Sequence, residues 1–182
     1  ASGGVVGSPG TTCAAGTQTA NVIMGGQRPG NTSNVEEYNG SSWSEVNNMP
    51  YAAGNLSGLG TQTAAIAFGG YLNVTTTAKY DGTNWTTSGT LSTGRELMGG
   101  IGIQTAGLAA GGYVRPSTYT TAVEQYNGSS WTGAPSLNTG LYGRTGNGTT
   151  SAALVAGGQT GSTSNAVEEY NGSSWSTVNA RP

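Results

Sequence analysis

The chain has 182 residues, of which 33 are glycine and 8% are charged, with a net charge of -2, no histidine and one cysteine. This composition excludes a basic surface for nucleic acid, a disulfide within the chain and a histidine-based metal centre. No apolar run approaches the roughly 20 residues of a membrane-spanning helix. Ala1 is not followed by a charged segment and an apolar stretch, so any secretion signal is expected to be missing or already removed.

Taken in chain order, the first 50 residues predict four short antiparallel strands, at about 5–13, 20–25, 34–38 and 43–47. Glycine density disfavours helix, and stretches of small and apolar residues alternate with turn residues. The turns are Gly16-Thr17-Gln18-Thr19 between the first two strands and Asn39-Gly40 between the last two. Asn-Gly is a strong hairpin signal because both residues tolerate positive φ. The same elements then recur: GTQT, GIQT and GTTS begin at Gly60, Gly102 and Gly148, and VEEYNGSSW (35–43) returns as TAKYDGTNW (77–85), VEQYNGSSW (123–131) and VEEYNGSSW (167–175). Each copy follows a glycine pair whose second member is Gly26, Gly70, Gly112 or Gly158. Trp43, Trp85, Trp131 and Trp175 are spaced by 42, 46 and 44 residues, a period that marks one supersecondary unit per copy. One domain over 1–182 therefore divides into units at about 5–49, 50–92, 93–138 and 139–182.

Strands ending in Gly-Gly, a tyrosine in the third strand and a tryptophan opening the fourth resemble the kelch repeat of β-propellers, including the central domain of galactose oxidase. The resemblance covers essentially the whole chain and implies an all-β, four-bladed β-propeller of four-stranded antiparallel blades. More narrowly, the GTQTA, FGGY and EEYNGSSW phrases resemble repeat proteins of bacteriophages assigned to tail fibres and other virion appendages, which implies an extracellular or virion-surface location. The copper chemistry of galactose oxidase is out of reach, because its site requires histidines. Each blade is continuous in sequence, so ring closure is expected from packing of blade four on blade one, with no strand borrowed from the other terminus.

The repeated aromatics Trp43, Trp85, Trp131, Trp175, Tyr38, Tyr80, Tyr126 and Tyr170 are read as packing between blades, since few other large apolar groups are available. Gly26, Gly70, Gly112 and Gly158 are read as structural positions of close backbone approach. Glu36-Glu37, Glu124 and Glu168-Glu169 could suggest a hydrolase, but strand neighbours point to opposite faces and an active site is needed once. These carboxylates are expected to be solvated or locally hydrogen-bonded, so that Gln at Glu36, Glu124 and Glu168 leaves folding nearly unchanged.

Length variation is concentrated between the second and third strands, in QRPGNTSN (27–34), YLNVTT (71–76), YVRPSTYTT (113–121) and QTGSTSNA (159–166). In a propeller these loops share a face with the connections between blades, so this face varies while the opposite one repeats. The candidate binding residues are Arg28, Tyr51, Tyr71, Arg95, Tyr113, Arg115, Tyr119, Tyr142 and Arg144, because Tyr and Arg dominate binding hot spots. No cofactor, transition metal, nucleic acid or membrane insertion is expected. The leading expectation is a non-enzymatic structural or adhesive module of a phage or bacterial surface appendage, with itself or another virion or surface protein as partner. The alternative is a soluble multivalent lectin that binds glycans on the variable face.

Overall fold

The structure, a computed structural model, describes residues 11–27 and 29–179. All regular elements among them are strands, arranged as four four-stranded antiparallel sheets and one two-stranded ribbon. Sheet one holds β1 (Cys13–Gly16), β2 (Asn21–Met24), β3 (Val35–Tyr38) and β4 (Trp43–Glu45). Sheet two holds β5 (Ser57–Thr61), β6 (Ala64–Phe68), β7 (Thr77–Tyr80) and β8 (Trp85–Ser88). Sheet three begins with β9 (Gly99–Ile103) and β10 (Ala106–Ala110), then the chain makes the ribbon β11 (Tyr113–Val114) and β12 (Thr118–Tyr119). It resumes with β13 (Val123–Tyr126) and β14 (Trp131–Ala134). Sheet four holds β15 (Thr145–Gly148), β16 (Ala153–Ala156), β17 (Val167–Tyr170) and β18 (Trp175–Val178).

Three of the four strands expected in the first unit coincide with β2, β3 and β4. The first does not: β1 begins at Cys13, where the expected strand ends, and positions 5–10 lie outside the described residues. Cys13-Ala14-Ala15-Gly16 carries no apolar alternation, so only its pairing with Asn21–Met24 reveals it as a strand. The turn after the third strand is where the sequence placed it, but its chemistry differs. Gly40 has positive φ and Asn39 does not. Instead the Asn39 side-chain oxygen accepts the N–H groups of Ser41 and Ser42, both at 3.0 Å. Asn127, Asn171 and Asp81 hold their turns in the same way.

In sheets two and three the second strand is the most buried because it has partners on both edges and packs on a neighbouring sheet. Val22, Ile66 and Leu108, at the same register of β2, β6 and β10, are fully buried. Beside every one of these strands the repeated tyrosine lies opposite the repeated tryptophan, with ring centroids 4.8–5.1 Å apart. Tyr80, Tyr126, Tyr170, Trp131 and Trp175 are buried, and Tyr38, Trp43 and Trp85 are half-buried.

Glycine pairs end the second strands at positive φ and link each sheet to the next. The N–H groups of Gly26, Gly70 and Gly112 donate to the carbonyls of Ala53, Arg95 and Leu141. A β-carbon on Gly112 would lie 2.7 Å from the Glu96 carbonyl, so no other residue fits there. The inner strands β1, β5, β9 and β15 pack in succession, and residues from all four line one cavity of about 370 Å³.

Candidate binding site on the variable loops

The connections that lead into β5, β9 and β15 place Asn55, Leu97 and Gly143 at one equivalent position, and Thr11 holds the same place before β1. All four have φ between 55° and 67°. Their backbones form a chain in which Asn55 N–H donates to Thr11, Leu97 N–H to Asn55 and Gly143 N–H to Leu97. A leucine in this region costs about 1–2 kcal/mol, so tertiary contacts must impose it.

Next to this chain the variable loops converge on a pocket of about 310 Å³. Its polar side is built around Glu96, whose carboxylate receives Arg115 Nη2 at 2.7 Å and Asn55 Nδ2 at 2.9 Å. The Arg115 guanidinium also lies over the Tyr71 ring, 4.2 Å from its centroid, so a cation–π contact and an ion pair together fix its plane. Asn73 holds the Arg115 backbone from both sides, accepting its N–H and donating to its carbonyl. The apolar side is a tyrosine cluster: Tyr113, Tyr119 and Tyr142 have centroids 5.5–5.8 Å apart, and the Tyr113 hydroxyl donates to the Pro116 carbonyl. Tyr119 remains 37% exposed, so one aromatic face is available to a partner.

Five candidate binding residues thus come together: Tyr71, Tyr113, Arg115, Tyr119 and Tyr142. Arg28 lies outside the described residues. Tyr51 does not join them, because it packs against the core of sheets one and two, where burial raises its hydroxyl pKa. Arg95 and Arg144 are corrections. They were expected as recognition groups on the variable face, but their side chains are 1% and 0% exposed and are paired with Glu124 and Glu168.

The carboxylates are corrected with them. Glu36, Glu124 and Glu168 were expected to be solvated or locally hydrogen-bonded; all three are buried, and Glu124 and Glu168 are hydrogen-bonded. Arg95 donates to Glu124 at 2.5 Å and to the carbonyls of Gly111, Thr93 and Ala109. The other Glu124 oxygen accepts Ser92 N–H at 2.8 Å. Glu168 accepts the N–H groups of Asn138 and Thr139 in the same way, and Arg144 lies 2.9 Å away without hydrogen-bond geometry at its guanidinium. Sheet two shows the device removed as a whole. Ala78 stands where Glu124 does, Ala53 where Arg95 does, and Pro50, which has no N–H, where Ser92 does. A buried arginine with its carboxylate therefore anchors the loop before the inner strand in sheets three and four, and sheet two lacks all of these partners.

Sequence reasoning missed Glu96, Asn55 and Asn73. Aligning the loops on Gly60, Gly102 and Gly148 places Gly54-Asn55, Glu96-Leu97 and Tyr142-Gly143 together, and their differences were the available signal. Among the described residues no group of three or more Asp, Glu, His or Cys could hold a metal. Burial pushes the Cys13 thiol up to about 12, far from the depressed value of a cysteine nucleophile. Tyr80 and Tyr126 hydroxyls are also raised by burial; Glu37, which accepts from Tyr80, adds to the first effect. No protein-family model matches the chain, and no curated protein matches it.

Proposed function

We propose that this chain is a non-enzymatic docking module of a phage or bacterial surface appendage, built as a four-bladed, kelch-like β-propeller. The architecture is supported by the cavity shared among β1, β5, β9 and β15 and by the equivalent backbone links through Thr11, Asn55, Leu97 and Gly143. The placement on an appendage rests on the likeness of the repeat phrases to virion fibre proteins.

One observation carries the docking role: the pocket of Glu96, Arg115, Tyr113, Tyr119 and Tyr142 is built from non-equivalent residues of the loops around sheets two, three and four, and no repeat-related copy of this residue set occurs among the described residues. A repeated site would serve many identical ligands, whereas a single asymmetric one suits a partner held in a fixed orientation. Tyrosine and arginine also supply large contact area and bidentate donors at low conformational cost. The buried carboxylates support a role other than hydrolysis, because Glu124 and Glu168 are committed to arginine and backbone N–H groups.

A lectin is the second reading, favoured by the stacked Tyr119 and Tyr142 rings beside the polar Asn55 and Glu96. A glycan array with the wild type and a Tyr119→Ser, Tyr142→Ser variant, together with antibody-labelled electron microscopy of source particles, separates the two. Label on appendages and a silent array are expected. Array binding lost in the variant, with no particle label, would replace docking with glycan recognition.

A further inference from the structure

We propose that the uncovered face of sheet four receives sheet one of a second copy, so that the chain associates head to tail. This contact lies away from the variable-loop pocket and goes beyond its docking role.

Inside the chain, sheets two and three each present a donating face to the sheet before it. Gln62, in the turn after β5, donates its side-chain amide to the carbonyls of Asn21 and Tyr38 at 3.1 and 2.9 Å. Gln104, in the turn after β9, repeats this on Ala65 and Tyr80. The Tyr80 hydroxyl donates to Glu37 at 2.9 Å, and the Trp85 indole N–H donates to the Asn47 carbonyl at 3.0 Å.

Sheet one carries the same donors without the acceptors. Gln18 is the equivalent of Gln62 and is exposed, and it makes no side-chain hydrogen bond among the described residues, nor do the Tyr38 hydroxyl and the Trp43 indole N–H. Sheet four carries the acceptors without the donors. The carbonyls of Ala153 and Tyr170 stand at the registers of Ala65 and Tyr80, and the exposed Glu169 stands at that of Glu37. Over them lies an open depression of about 450 Å³ lined only by sheet four and its β15–β16 turn. Leu154 in this depression is 36% exposed, where Val22, Ile66 and Leu108 at the same register are fully buried.

Charge does not oppose such a contact, since the net charge is only -2. The occupant is argued from Ala14. At this position the inner strands of sheets two, three and four have Gly58, Gly100 and Gly146, and a β-carbon on Gly100 would lie 2.4 Å from the Gly58 carbonyl. Sheet one has the β-carbon, on an exposed Ala14. Its own β1 is held against β5, so closing onto β15 would press that methyl toward backbone. A second copy approaches with the Gly16–Thr19 turn leading and is not bound to that register. Such an interface is heterologous, so association continues until geometry closes it.

The test uses a Cys13→Ser background with Gln18→Cys in one sample and Leu154→Cys in another. Mixed under oxidising conditions, the two are expected to form a cross-linked dimer, and a chain bearing both changes should give a ladder. Wild-type sizing should show association that weakens about tenfold or more in Gln18→Ala, a change in an exposed turn. No cross-link in the mixture, or a fast-migrating monomeric disulfide in the double variant, overturns the proposal. So does a wild type that stays monomeric at every concentration.

Discussion

Removing the Glu124 carboxylate tests the anchor argument most directly. Arg95 and Glu124 have side chains 1% and 4% exposed, so neither charge can recover its hydration if the other is lost. Glu124→Ala leaves the guanidinium with three backbone carbonyls and no countercharge, and it strips Ser92 N–H of its acceptor. Breaking a buried pair from one side costs about 3–5 kcal/mol. At about 2–4 °C per kcal/mol for a chain of this size, the melting temperature should fall by about 6–20 °C. Arg95→Ala should cost a similar amount. The Arg95→Ala, Glu124→Ala double variant reproduces Ala53 and Ala78 of sheet two, which are fully buried and carry no charge. It should therefore be less damaged than the sum of the single changes, by a coupling of up to about 3 kcal/mol. Guanidinium denaturation followed by tryptophan fluorescence measures all four proteins. A Glu124→Ala variant within about 1 kcal/mol of wild type, or strict additivity in the cycle, would refute the reasoning.

Two further outcomes follow from the same structure. Gly100→Ala places a β-carbon 2.4 Å from the Gly58 carbonyl, and it should destabilise the chain by about 1–3 kcal/mol through overpacking, read from the denaturation midpoint. Gly133→Ala, with open space around its β-carbon, is the control and should be far milder. Asp81 is the acidic member of the four equivalent turns, and the N–H groups of Asn84 and Thr83 hold its carboxyl below the ordinary value of 3.8. Its pKa is depressed in the fold, so its contribution is present above that ordinary value and is lost as pH falls through the folded one. Amide protection in residues 81–84, taken as the exchange rate relative to that of an unstructured chain at the same pH, should fall on acidification in the wild type and not in Asp81→Asn, whose turn would match its Asn39, Asn127 and Asn171 counterparts.

The all-β class, the four-fold repetition and the place of the paired Tyr and Trp were legible in the sequence because they are local and recur. A tyrosine before Asn-Gly-Ser-Ser-Trp needs only its neighbours to fold into a hairpin, and each copy restates the rule. The extent of β1 was not legible, because four small residues without alternation become a strand only when β2 supplies the ladder. The same limit divides the arginines. Arg95, Arg115 and Arg144 look alike in a Gly-rich chain, yet Arg95 and Arg144 are buried against carboxylates about 25 to 30 positions onward, while Arg115 is held over Tyr71 from the sheet before. Composition decides how many charges a chain has, but only the packing of one sheet on another decides which of them keep their water. At Leu154 and Gln18 that packing ends, and two surfaces that the repeat made complementary are left facing solvent.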